Sequence, residues 1–92
     1  MNGVYVKFEE SGSSTSGRTK IWLVKNAKSD FEIGRIRWMS SWRKYTFEPA
    51  NNCVFDANCL RDIATACELY TQQHKEELAL IAEKEKTNVE KA

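Results

Sequence analysis

The chain has one proline, one histidine and four glycines, and no apolar run near the roughly 20 residues that a bilayer-spanning helix needs. The opening MNGVYVKFEE lacks the apolar core of a secretory leader, so no export and no membrane partner are expected. Its three cysteines, Cys53, Cys59 and Cys67, are odd in number and include no C-x-x-C pair. A disulfide framework and the usual zinc patterns are thereby set aside. The thiols read as reduced, packed as small hydrophobes in a cytoplasmic protein. No paired carboxylates, no Ser–His–Asp set and no phosphate-cradling glycine loop can be assembled around the lone His74. The expectation is a non-enzyme with no cofactor and no metal.

What is present is bulk and charge. The 92 residues suit one small domain, with 11% aromatic and 29% charged side chains. Net charge is only +1, but it is unevenly spread. Residues 18–44 carry eight basic side chains against Asp30 and Glu32, whereas residues 61–92 carry five basic and seven acidic ones. A basic first half and a mildly acidic tail make a polarised molecule.

The period of the apolar residues changes once along the chain. Val4, Val6 and Phe8 alternate as a first strand, residues 20–25 form a second, Phe31 to Trp38 a third and Trp42 to Glu48 a fourth. Residues 10–19, rich in Ser and Gly, read as a flexible loop. Phe31 and Ile33 have the opposite parity to Ile36 and Trp38, so a β-bulge at Gly34 is needed to bring all four to one face. Ser40-Ser41 reads as the next turn. The register that then pairs Trp38 with Arg43 and Ile36 with Tyr45 keeps an apolar face. It also puts Arg37 opposite Lys44, and Arg43 on the core face beside Trp38.

From Asp56 onward the period is 3.6. Asp56 is placed to cap a helix, Phe55 and Leu60 to staple its start, and Leu60, Ile63, Ala64, Cys67 and Tyr70 to form its buried stripe. With no Gly or Pro to stop it, the helix is expected to reach about Lys84 and to overhang the sheet. The fold expected is α+β: an antiparallel meander of about four strands followed by one long C-terminal helix. It would be one domain over residues 1–86, with 87–92 frayed. The expected core comprises Ile21 or Trp22, Phe31, Ile33, Ile36, Trp38, Tyr45, Phe47, Phe55, Leu60, Ile63 and Cys67.

Two surfaces are candidates for binding. Arg35, Arg37, Trp42 and Lys44, with Lys20 and Lys25 beside them, would form a basic aromatic hairpin face for an anionic partner, whether nucleic acid or an acidic protein surface. Its bland counterpart is a solvated sheet face. Tyr70, His74, Leu78 and Ile81 run roughly in heptad step and would make a self-association seam for a homodimer. The bland counterpart there is a helix end folded back on the sheet edge.

The stretch Gly34-Arg35-Ile36-Arg37-Trp38, then Trp42-Arg43-Lys44-Tyr45-Thr46-Phe47-Glu48-Pro49, then Phe55-Asp56 and Cys59-Leu60-Arg61-Asp62-Ile63, resembles small proteins of bacteriophages and prophages. Their pattern runs G-x-I-x-W, W-R-x-Y-x-F-x-P, F-D and C-L-x-x-I. The resemblance spans about residues 20–70 and implies an accessory protein in the cytoplasm of a bacterial host cell. A phage protein of this size without catalytic groups is expected to occupy a host protein or nucleoprotein complex. The leading expectation is an inhibitor of a host defence assembly, of CRISPR type or another nuclease. The alternative is a DNA- or RNA-binding accessory protein using the basic hairpin.

Overall fold

The computed structural model describes residues 5–14 and 17–91, with side chains through Glu83. Four strands, β1 (Val6–Ser13), β2 (Lys20–Asn26), β3 (Glu32–Met39) and β4 (Lys44–Pro49), form one antiparallel sheet in the order β1-β2-β3-β4. A single helix, α1 (Ala57–Lys91), lies across one face of it, chiefly along β4. The architecture is the α+β meander and long helix read from the sequence.

Hydrophobic alternation builds the inner face. Val6, Phe8, Val24, Ile36 and Tyr45 are buried from the sheet, and Ile63, Ala66 and Tyr70 from the helix. Trp22, Ile33, Trp38, Phe47, Phe55, Cys59 and Cys67 close around them. The bulge falls where the parity change demands it: Val24 pairs with Gly34 and Lys25 with Glu32, so Ile33 is the extra residue. A Cβ on Gly34 would stand 2.6 Å from the Phe47 ring, so the close approach of β4 requires glycine there.

Several expectations are corrected. Strand β1 continues through Ser13, so the loop read over residues 10–19 shortens. A bulge between Glu10 and Gly12 lets β1 pair on to Ser13 opposite Lys20, and Ser14 N–H then donates to Thr19 C=O. Residues 15–16 and the expected strand residue Val4 lie outside the described residues. Phe31 is 64% exposed because it closes the β2–β3 turn, where its carbonyl accepts from Asn26 N–H. Leu60 is half exposed and Ala64 exposed, whereas Ala66 and Tyr70 are buried. The helix is thus rotated onto Cys59, Ile63, Ala66 and Tyr70. Phe55 packs edge-on against Phe47 at 5.4 Å, with Leu60 turned to solvent.

The β3–β4 register differs by two residues. Trp38 pairs with Tyr45 and Ile36 with Phe47, since the turn spans Ser40–Arg43 and Met39 pairs with Lys44. Arg43 takes φ 54° in this turn, and both Trp42 and Arg43 N–H groups donate to Met39 C=O. Arg43 therefore leaves the core face, and Trp38 packs instead on Tyr45 and His74. A shift by two keeps every side chain on its face, so the inner layer survives while the cross-strand partners change.

The helix cap is as read: Cys59 N–H donates to the Asp56 carboxylate at 2.9 Å, which holds that carboxyl below its ordinary pKa. At its other end the helix runs to Lys91, beyond the expected end at about Lys84; Ala92 lies outside the described residues. Molecular extents of 55 × 24 × 22 Å record the overhang.

Candidate binding face

One helix can cover only one side of a sheet, so the other side stays open. Strand alternation places Leu23 and Lys25 of β2, Arg35 and Arg37 of β3, and Lys44, Thr46 and Glu48 of β4 on this outer face. The two-residue register shift decides its electrostatics. Arg35 lies opposite Glu48, and Arg37 opposite Thr46, so the expected clash of Arg37 with Lys44 does not arise.

Glu48 is shared by two arginines. Its Oε1 stands 2.5 Å from Arg37 Nε and 3.5 Å from Arg35 Nε. One carboxylate is thus shared by two guanidiniums at the centre of the face, with Glu32 near Arg35 at its rim. Beside it lies a shallow depression of about 340 Å³ lined by Leu23, Glu32, Gly34, Arg35, Glu48 and Pro49, among others. Leu23 and Pro49 supply apolar walls.

The other basic residues are dispersed. Lys25 is on the outer face but bridges Glu9 at 2.9 Å, which raises its pKa. Lys20 falls on the opposite side, alternating with Trp22, and bridges Glu10 at 3.1 Å; this hydrogen bond raises its pKa. Trp42, 62% exposed, and Lys44 belong to the tip of the β3–β4 hairpin and its foot. The six basic and aromatic residues therefore divide between two faces and a tip. Glu48, which sets the charge of the face, was missed by the sequence reading. A four-residue turn was the signal that would have placed it.

The expected seam also divides. Tyr70 is buried and stacked on Trp22, and His74 is half-buried against Trp38 and Tyr45, so neither is free to join a second chain. Leu78 and Ile81 are exposed on the overhang, joined by Leu80, which the heptad reading did not include.

The cysteines behave as packing groups. Burial pushes the Cys67 thiol up to about 11 and raises that of Cys59 as well. Among the described residues no cluster of His, Cys, Asp and Glu could hold a metal ion. No described helix is long and apolar enough to cross a membrane.

The chain is a small two-layer α+β protein with a family relationship to a phage protein. It belongs to the same family as an uncharacterised 9.3 kDa protein of Acholeplasma phage L2, to which it is 30% identical over 53 residues, 58% of this chain and 68% of the relative. No family model matches the chain, and no solved structure matches it.

Proposed function

We propose that the protein acts without catalysis, by laying the outer face of its sheet on a host macromolecule. The observation that supports this is the pair Arg35 and Arg37 sharing the single carboxylate of Glu48 on a face that the helix leaves open. An anionic partner completes that charge balance, and its apolar or planar groups fit the adjoining depression. Two other cations of this face are already matched: Lys7 with Asp30 and Lys25 with Glu9. A focused charge of this kind suits an acidic protein surface better than the long phosphate track of a nucleic acid. The phage relationship makes a host defence complex, of CRISPR type or another nuclease, the target class of choice.

The test compares the wild type with an Arg35→Ser, Arg37→Ser chain. Each is crosslinked in bacterial cells that carry a defence system, and the captured proteins are identified. The expected result is one host protein recovered with the wild type and lost with the double variant, with defence activity restored in parallel. Titration with short DNA and RNA at low salt should show no specific affinity. Tight binding whose log–log salt slope drops by about 0.7–0.9 for each arginine removed would replace this reading with the nucleic-acid one.

A further inference from the structure

Charge on the β3–β4 hairpin is sorted along its strands. Residues 33–47 contain Arg35, Arg37, Arg43 and Lys44 and no acid. Glu32 and Glu48 both lie on the half away from the turn, where Glu32 pairs with Lys25 and Glu48 with Arg35 across the ladders. The bridges from Lys7 to Asp30 and from Lys25 to Glu9 belong to that half of the sheet too. At the turn end, Arg43 and Lys44 are exposed and have no acid partner among the described residues.

The same end holds apolar groups. Trp22 pairs with Ile36 and both pack inward, so Ile21 falls on the outer face level with Arg37. Met39, two residues beyond Arg37, shares that face and pairs with Lys44. Both aliphatic side chains are only half-buried. Above them stands Trp42, 62% exposed, whereas Trp22 and Trp38 pack against the core. The turn that carries it is closed: Trp42 and Arg43 N–H donate to Met39 C=O at 3.1 and 2.8 Å. An indole held out on a fixed turn loses little freedom when a partner covers it. Tryptophan and arginine around a partly apolar centre are also the composition of an interface anchor.

We infer that Trp42 and the turn end of the outer face anchor a protein segment whose aliphatic side chains are flanked by carboxylates. This rests on the function proposed above and moves the centre of that interaction from the Arg35–Glu48 depression to the hairpin tip. A carboxylate arriving at the tip meets Arg43 and Lys44 directly, whereas at the depression it competes with Glu32 and Glu48. Ile21 and Met39 suit aliphatic partners and offer a nucleobase no plane to stack on, which leaves one indole where a single-strand site needs a row of them.

Photocrosslinking of the full chain in bacterial cells that carry a defence system tests it. The photoreactive residue p-benzoylphenylalanine replaces Ser41 beside Trp42, Glu32 at the rim of the depression, or Thr65 on the exposed side of α1. The Ser41 probe should join one host protein through a peptide that mass spectrometry reads as acidic and aliphatic, and the Thr65 probe should not. In the Ser41-probe chain, Trp42→Ala or Arg43→Glu with Lys44→Glu should cut that yield by at least about tenfold with an unchanged thermal melt. Arg43→Gln with Lys44→Gln should give a smaller loss and guards against loss of fold in the charge reversal. Crosslinks from Glu32 but none from Ser41, or a yield that the tip substitutions leave intact, overturn this inference and leave the proposed function standing. A Ser41 adduct with nucleic acid or lipid overturns it as well. No host protein from either probe removes both readings.

Discussion

Tyr70 lies flat on Trp22, with ring centroids 3.8 Å apart and planes within 1° of parallel. The stack joins the middle of α1 to β2, and Phe8 and Tyr45 meet Tyr70 edge-on from either side. A residue with the spacing of a dimer seam is thus the centre of the monomer's core. Its hydroxyl has no hydrogen-bond partner among the described residues, and burial raises its pKa.

Tyr70→Phe should therefore leave stability unchanged or raise it by up to about 1 kcal/mol, since it removes a buried polar atom left unpaired. Tyr70→Ala should cost about 3–5 kcal/mol by emptying the aromatic cluster. Urea unfolding followed by tryptophan fluorescence measures both.

Ile63 and Leu60 sit one turn apart, and only one of them is buried. Ile63→Ala should cost about 2–5 kcal/mol, and Leu60→Ala less than about 1 kcal/mol. Equal losses in chemical denaturation would mean that the helix is rotated from this position, since the two side chains lie only about 60° apart in azimuth.

Thr71 seals the outer edge of β4. Its hydroxyl accepts from Tyr45 N–H at 2.9 Å while donating to Cys67 C=O at 2.7 Å. Thr71→Val keeps the shape and removes the acceptor, which should cost about 1–3 kcal/mol for the unpaired N–H. Amide exchange should show Tyr45 N–H losing protection first.

Gly34→Ala sets a methyl against the Phe47 ring and the Glu48 carbonyl. The loss should be about 1–3 kcal/mol or more, with the β3–β4 pairing displaced. A thermal melt that matches the wild type would refute the close approach.

Titration adds two directional tests. Asp56 has its pKa lowered by the Cys59 backbone hydrogen bond, so the cap's contribution is present above about pH 4 and is lost as pH falls through the lower folded value. Asp56→Ala should flatten the acid limb of the stability curve. Cys67, with its thiol at about 11, favours the neutral form in the folded state. Its contribution is complete below the unfolded value and fades as pH climbs toward 11, and a thiol reagent at neutral pH should label it only after unfolding.

The sequence by itself determined the elements and the inner layer. The period-2 runs, the parity break at Gly34, the Asp56 cap and the uninterrupted 3.6-period stretch are local signals, each read within a few residues of where it acts. They fixed four strands, one bulge and one overlong helix. They also put Ile36, Tyr45, Trp38 and Phe47 inward, because an even shift of register leaves a side chain on the same face. Tertiary structure decided the pairings. Whether Arg37 meets Lys44 or Thr46 depends on how many residues the turn absorbs, and a left-handed Arg43 made the turn four residues long. Which azimuth of α1 faces the sheet depends on where Trp22 offers a flat surface, and that choice buried Ala66 and released Leu60. The shared carboxylate of Glu48 follows from these long-range fits. No local pattern encodes them, because each is a distance between residues that only the folded chain brings together.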